Sequence, residues 1–381
     1  MSGPLAADHF PLELMLDGLA EWAAVESPTT APDAVNRMMD LAELEMRLLE
    51  AEIVRHPGRD GFGDTLVARL PWEGERRPGI LVLAHLDTVH ALGTLAESLP
   101  IRVEDGRLYG PGVYDMKGGT YCAVRAAGAV LDADGRTALP VSFMFVPDEE
   151  FGSPTSRELI EAEAANQRYV LVPEPAQEEG NLITGRWAFQ RFVMHARGRP
   201  AHAGATLTRG RSAIRELAEQ VIRVESLSEP DRDVTLSVGV VRGGTFVNVV
   251  PEHASAEVLA VTPTQEDFDA VREKVLALGP IDPGVSFEVV AGPVRPLYKE
   301  TEDVLALYQR ARDLAREVGY EPGHGEVGGG SDGNFTGAMG IATLDGLGLV
   351  GDGFHTHSEH VEIDSIVPRT RVLSGLLRSL Q

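Results

Sequence analysis

Hydrophobic and polar positions follow two rhythms along this chain. Short, almost wholly apolar runs at 64–70, 79–84, 141–146 and 169–172 predict strands of a sheet buried on both faces. Helical periodicity at 12–25, 34–55 and 116–131 surrounds them, the last lying between two strands as a crossover would. From about residue 187 the order changes to strand 188–196, helix 212–224, strands 234–241 and 254–261, helix 265–278 and strand 285–290. That is the split β-α-β order of a ferredoxin-like unit. After residue 292 the first rhythm resumes with a helix at 302–318, a glycine-rich turn at 328–330, a strand at 341–344 and a closing helix at 364–380. The pattern predicts an α/β domain with a mixed sheet, formed by 1–184 and 295–381, into which an α+β domain of residues 185–294 is inserted. No internal repeat or low-complexity tract interrupts it.

Composition narrows the classes of function. At 381 residues, with 43% hydrophobic and 24% charged side chains, the chain has the balance of a globular protein of about two domains. Its 34 basic and 58 acidic residues leave a formal charge of -24, which repels phosphate backbones and anionic lipid, so neither nucleic acid nor a membrane is an expected partner. Cys122 is the one cysteine, which excludes an intrachain disulfide and four-cysteine zinc sites. Any metal must be held by His, Asp and Glu. The N-terminal stretch lacks a basic region followed by an apolar one, and no apolar run approaches membrane-spanning length, so a cytoplasmic location is expected.

Several apolar runs end in residues of metal-binding type. GILVLA is followed by His85 and Asp87, FMFV by Glu149 and Glu150, and YVLV by Glu174; Asp115 lies after the turn Gly110-Pro111-Gly112, and His355 and His357 lie in GFHTHSEHVE. Ligands in open α/β sheets bind beyond the carboxyl ends of strands, where these residues fall. Two imidazoles and several carboxylates suit a pair of zinc-like ions sharing one carboxylate, with another left to handle a proton. Asp87, two residues beyond His85, is placed to accept a hydrogen bond from the imidazole and fix its tautomer. Taken singly each has an ordinary alternative: Asp115 as a helix N-cap, Glu149-Glu150 as a solvated pair, Glu174 as a loop glutamate.

Taken together, HLDTV (85–89), GPGVYDMKGG (110–119), DEEFGS (148–153), Glu174-Pro175, GRPAHAG (198–204), GGGSDGN (328–334) and the terminal HTHSEHVE resemble the M20 family of dinuclear zinc peptidases and deacylases. That family includes glutamate carboxypeptidases, acetylornithine deacetylases and aminoacylases. The resemblance implies a zinc-exopeptidase-like catalytic domain with an inserted lid and dimerisation domain, and two Zn2+ ions for which Co2+ or Mn2+ can substitute. It implies that His85 and Glu174 hold one ion, Glu150 and His355 the other, and Asp115 bridges them, while Asp87 orients His85 and Glu149 is the general base. His355 is preferred because it stands four residues before Glu359 and six before Val361; His357 is the competing choice, and His360 reads as structural. His202 would stabilise the oxyanion, often in the partner subunit's site, and Asn248 of the G-x-x-x-N-x-x-P segment would hydrogen-bond substrate. Arg295, in GPVRPLY, would fork onto a substrate carboxylate, and Gly329 and Gly330 would let the main chain approach it. The family's arginine in the strand after Asn248 is missing here, with Val261 near its place.

The implied reaction is hydrolysis of an amide bond in an N-acyl amino acid or short peptide with a free carboxylate, through metal-activated water and Glu149. The comparison points first to a glutamate carboxypeptidase, with an N-acyl amino acid deacylase or dipeptidase as the alternative. A homodimer is the expected assembly. A non-catalytic binding protein on this fold would be expected to have lost the base or a ligand, and an esterase or phosphoesterase would be separated by its substrates.

Overall fold

The computed structural model describes residues 3–74 and 77–381; the sequence-based domain bound at residue 1 lies outside them. In chain order the elements are α1 (Leu12–Ala24), α2 (Pro32–Leu48), β1 (Glu52–His56), β2 (Thr65–Arg69), β3 (Gly79–His85), α3 (Thr94–Glu97), β4 (Arg102–Glu104), β5 (Arg107–Tyr109), α4 (Lys117–Asp134), β6 (Val141–Val146), α5 (Arg157–Ala164), β7 (Gln167–Leu171) and β8 (Leu182–Arg186). Then come β9 (Ala188–Arg197), α6 (Ala213–Glu225), β10 (Thr235–Gly243), β11 (His253–Thr262), α7 (Gln265–Leu276) and β12 (Ser286–Arg295). The chain closes with α8 (Glu302–Val318), β13 (His324–Val327), α9 (Gly333–Ala338), β14 (Ala342–Leu344), β15 (Gly351–Asp352), β16 (His360–Glu362) and α10 (Ile363–Ser379). Two compact units result: Met1–Gly185 with Tyr298–Val327 and Ser331–Gln381, and Arg186–Leu297 with Gly328–Gly330.

The first unit is built on a six-stranded mixed sheet of order β1-β2-β6-β3-β7-β14. Strands β6, β3, β7 and β14 run parallel, while β2 pairs antiparallel with β6 and β1 with β2. Alternate residues of the central strands enter different cores. Ile80, Val82, Ala84, Phe143 and Phe145 pack on one face with side chains of α1, α2, α4, α8 and α10. Leu81, Leu83, Met144, Val146 and Val170 pack on the other with Ile160 of α5 and Phe335 of α9. Burial on both faces is why these strands read as unbroken apolar runs. A smaller antiparallel sheet, β15-β16-β5-β4, joins the loop before Asp115 to the C-terminal segment; α8 is capped by Thr301, whose side chain accepts from Val304 N–H, and ends at Gly319 with φ 105°.

The second unit has the antiparallel order β10-β11-β9-β12, with α6 and α7 packed on one face through Phe192, Met194, Leu217, Ala256, Val258, Val271 and Val275. Ser212 and Thr264 cap the two helices, accepting from Arg215 and Asp267 N–H. Burial alternates along β9, so its inner face is apolar but for Gln190 and its outer face carries Arg191, His195 and Arg197.

Three expectations need correction. The predicted helix at 34–55 stops at Leu48; Glu50 turns the chain at φ 57°, and 52–56 form the antiparallel edge strand β1. The sequence EIVRH continues a helical polar-apolar rhythm, and Arg55 masks the strand by pairing with Asp40, Glu43 and Asp64. The strand predicted at 285–290 runs to Arg295 past a bulge between Ala291 and Val294, so Arg295 belongs to the second unit rather than to the returning chain. The glycine-rich turn at 328–330, expected in the part of the first domain formed by 295–381, belongs to the second unit, while Ser331 and Asp332 after it are buried in the first.

Candidate metal centre

Three neighbouring parallel strands, β6, β3 and β7, bring their carboxyl ends to one edge, with His85 in register with Val146. His85 ends β3, Glu149 and Glu150 follow β6 in a 3-10 turn, and Glu174 follows β7 between Pro173 and Pro175. Asp115 immediately precedes α4 but does not cap it; the N-cap position is Met116. Its carboxylate turns instead to two imidazoles. Asp115 Oδ1 lies 3.2 Å from His85 Nε2 and Oδ2 lies 3.3 Å from His355 Nε2. Each imidazole has a carboxylate of its own: Glu174 Oε1 is 3.7 Å from His85 Nε2, and Glu150 Oε2 is 3.1 Å from His355 Nε2.

The glycines of MKGG have a packing reason. A Cβ on Gly118 would stand 2.1 Å from the Val113 carbonyl oxygen and one on Gly119 2.0 Å from that of Pro173. Bare backbone lets the first turn of α4 touch both the loop before Asp115 and the segment that presents Glu174. His355 adopts a left-handed φ of 62°, a conformation that side-chain-bearing residues occupy at a cost and that recurs at functional sites. His357 lies elsewhere, its ring 6.5 Å from that of His90.

Asp87 touches both His85 and the turn that carries the two glutamates. His85 Nδ1 donates to the Asp87 main-chain carbonyl at 2.9 Å, with the carboxylate oxygen farther off at 3.5 Å. The carboxylate accepts from Thr29 Oγ1 at 2.7 Å and from the Glu149 and Glu150 N–H groups at 3.2 and 3.3 Å, fixing the turn that carries both glutamates. Behind that turn, buried Asp148 binds the Thr155 and Ser156 N–H groups, and Ser153 bonds Asp332.

The donor set fits divalent cations. Because His85 Nδ1 bonds a carbonyl, one proton sits there, and Nε2 faces two carboxylates, where either a second proton or a bound cation supplies the opposing charge. A positive centre is needed between them. Ligand atoms of His85, Asp115 and Glu150 all lie within 4.8 Å of one another, and the buried Glu150 Oε1 has no hydrogen-bond partner. Electrostatics agree. Burial opposes charge on His85, yet the hydrogen bonds to Asp115 and Asp87 and the nearby Glu174 outweigh it and raise its pKa well above the usual value. Hydrogen bonds to Asp115 and Glu150 raise His355 to about 10. Burial favours the neutral acid at Asp115, but His355 and His85 hold its carboxyl far below the usual range. Burial pushes Glu150 up. The pocket is an anionic cluster with room for positive charge, and N/O ligands of this kind suit zinc.

In the second unit, His202 Nδ1 accepts from the Gly204 and Ala205 N–H groups, both at 3.2 Å, so the proton is on Nε2 and that edge of the ring is a donor. Exposed Asn248 accepts from Ala203 N–H through its main-chain carbonyl at 2.9 Å. Arg295 is 2% exposed, with its guanidinium 5.9 Å from the centroid of the Phe189 ring. Gly329 accepts from Arg186 through its carbonyl, and Gly330 packs so closely on Phe189 that a Cβ would stand 2.1 Å from its ring. Packing alone accounts for that glycine.

The sequence profile of peptidase family M20/M25/M40 matches residues 81–379. The chain belongs to this family. Among M20 relatives it is 27% identical over 381 residues to carboxypeptidase G2 of Pseudomonas sp. (strain RS-16), covering 98% of this chain and 91% of that protein. It is 29% identical to acetylornithine deacetylase of Myxococcus xanthus over 249 residues, 61% of this chain and 63% of that one. The M20 family metallo-carboxypeptidase Sso-CP2 of Sulfolobus solfataricus has the same fold, with a TM-score of 0.74 at 16% identity, covering 95% of this chain and 98% of the other. As an M20 member this protein is a metal-dependent hydrolase with a mixed α/β fold. Among the described residues no helix is long and apolar enough to cross a membrane.

M20 motif reading missed the residues that hold these groups in place. Thr29 and His90 gave no signal, Asp148 counted only as part of DEEFGS, and Glu359 served only as a spacing mark for His355. The one available hint was that Glu359 follows a histidine-rich stretch with no basic partner nearby in sequence. A cleft of about 950 Å³ lined by Arg69, Trp72, Arg77 and Gln167 opens at the other end of the strands and contains none of the cluster.

Proposed function

We propose that this M20 hydrolase is a dinuclear zinc enzyme that cleaves the amide bond of an N-acyl amino acid or short peptide with a free carboxylate, in the manner of a glutamate carboxypeptidase. One observation carries the two-ion reading: the two oxygens of Asp115 face different imidazoles, each of which has a second carboxylate beside it. His85 and Glu174 would hold one ion, His355 and Glu150 the other, and Asp115 both. A zinc pair bound there would polarise the scissile carbonyl and acidify the attacking water.

Glu149, on the turn that Asp87 fixes, takes the proton of that water and later returns it to the leaving nitrogen. His202, protonated on Nε2, donates to the oxyanion that develops on the substrate. Arg295, with Asn248 and the Gly329-Gly330 main chain, holds the substrate carboxylate. The second unit serves as lid and dimer surface of a cytoplasmic homodimer. Likeness to carboxypeptidase G2 over nearly the whole chain favours release of a C-terminal acidic residue, and the likeness to acetylornithine deacetylase keeps N-acyl amino acid deacylation as the second reading.

A substrate panel tests this. Zinc-reconstituted protein is assayed on N-acyl glutamates, N-acetyl amino acids, dipeptides, esters and phosphoesters beside a chelated control. Preference for acidic C-terminal residues supports the carboxypeptidase reading, a strict N-acetyl requirement moves it to a deacylase, and turnover of phosphoesters alone refutes both.

A further inference from the structure

Glu359 lies outside the ligand set but joins the segments that supply three of its members. Its carboxylate is 1% exposed and has four donors. Oε1 accepts from the N–H groups of Tyr114 at 2.9 Å and Asp115 at 3.0 Å; Oε2 accepts from Gly112 N–H at 3.0 Å and from His90 Nε2 at 2.6 Å. Glu359 itself comes from the loop that carries His355. The three N–H groups belong to the loop that ends at Asp115, and His90 lies five residues beyond His85, on the segment leaving β3. A buried carboxylate would be costly here if its donors were lost.

A carboxylate that serves two ions must present both oxygens at once, so a small rotation of its main chain misdirects both. We propose that Glu359 is the positioning residue for Asp115: by clamping the Tyr114 and Asp115 N–H groups it holds both Asp115 oxygens toward their two imidazoles, and so sets the affinity of the site for a pair of ions. His90 completes the clamp by fixing the other Glu359 oxygen. This rests on the two-ion reading above.

Glu359→Gln is the direct test. An amide cannot accept at both of its ends, so one set of donors loses its partner. Groups that support metal ligands cost 10- to 100-fold in metal affinity when altered, and a loss of about that size is expected in calorimetric titration of the metal-free protein with Zn2+. The Co2+-loaded parent is expected to show magnetic coupling between neighbouring ions, and the Co2+-loaded variant to lose it. Circular dichroism of the metal-free variant checks that it folds. His90→Gln, whose amide N–H mimics Nε2, and His90→Phe, which removes the donor, form a second pair and decide the matter if Glu359→Gln does not fold. Weakened ion binding in His90→Phe with near-parental binding in His90→Gln supports the clamp. Parental affinity for two ions in the folded Glu359→Gln or in His90→Phe overturns it, as does an equal loss in both His90 variants. If the parent protein itself takes up fewer than two ions, the two-ion reading falls and the inference with it; if the parent binds two and the variants match it, only the clamp falls.

Discussion

Gly119→Ala sets two effects of opposite sign against each other in α4. Alanine in a helix is favoured over glycine by about 0.8–1.0 kcal/mol, so propensity alone predicts a more stable protein. Contact predicts the reverse. The new methyl carbon would lie 2.0 Å from the Pro173 carbonyl oxygen and 2.8 Å from Gly348 Cα. A carbon–oxygen contact settles near ~3.3 Å, so helix and loop must separate by roughly 1.3 Å. Both obstacles are backbone, which cannot swing aside as a side chain can. Overpacking of this sort costs about 1–3 kcal/mol, which set against the propensity gain leaves a net loss of up to roughly 2 kcal/mol. At about 2–4 °C per kcal/mol, Tm should fall by up to several degrees. The shift passes to Glu174, the next residue, and a displacement of ~1 Å near the chemistry can cost about 100-fold in rate. Gly128→Ala is the control within the same helix: its Cβ meets only the Leu49 Cδ2 methyl at 3.1 Å, which can rotate away. Calorimetric Tm and kcat/KM of the two zinc-loaded variants should therefore diverge, with Gly128→Ala unchanged or slightly stabilised. If Gly119→Ala instead matches Gly128→Ala in both measurements, the packing explanation of MKGG is wrong.

Other consequences can be measured directly. Glu149→Ala should keep its zinc while losing about 10²–10⁴-fold in kcat, the usual contribution of a positioned acid–base group; most of the turnover surviving would remove Glu149 as the base. His355→Ala should lose metal affinity, while His357→Ala, whose ring lies beside His90, should bind zinc like the parent in the same titration. In the metal-free protein, the raised pKa of His355 stabilises the fold fully below its ordinary value near 6.5, and this stabilisation fades as pH rises through about 10. The depressed Asp115 contributes above its ordinary value and loses its contribution as pH falls below it. Thermal melts of the metal-free protein should thus weaken between pH 7 and 10, and unchanged melts across that window would contradict the charge balance assigned to the cluster.

His85, Glu150 and Glu174 were legible as site candidates because they stand at the ends of strands buried on both faces, whose apolar runs are easy to read. The order of the inserted unit was legible for a related reason: β9 alternates buried and exposed residues without a fault. What escaped was held by main-chain groups. Glu359 binds three main-chain N–H groups, which every residue but proline has, and its side-chain partner His90 lies 269 residues away in sequence. Asp87 was assigned to the His85 imidazole because both are conspicuous side chains; its second contact, to the main-chain N–H groups of Glu149 and Glu150, had no such signal. Strand β1 was lost in a helical rhythm, and strands of two or three residues such as β15 and β16 are too short to display any period.

The strand order also has a history during synthesis. Strand β7 pairs on one side with β3, made long before it, and on the other with β14, which leaves the ribosome only after the entire second unit. At about 5–20 residues per second, the stretch from Leu171 to Ala342 takes on the order of ten to thirty seconds to translate. For that interval the nascent sheet has an open apolar edge, and His355 has not yet been made. The core of the second unit lies wholly within Arg186–Leu297 and can be completed first. Metal capture is therefore a late event, and a chaperone or a slow codon would matter most while β7 waits for its neighbour.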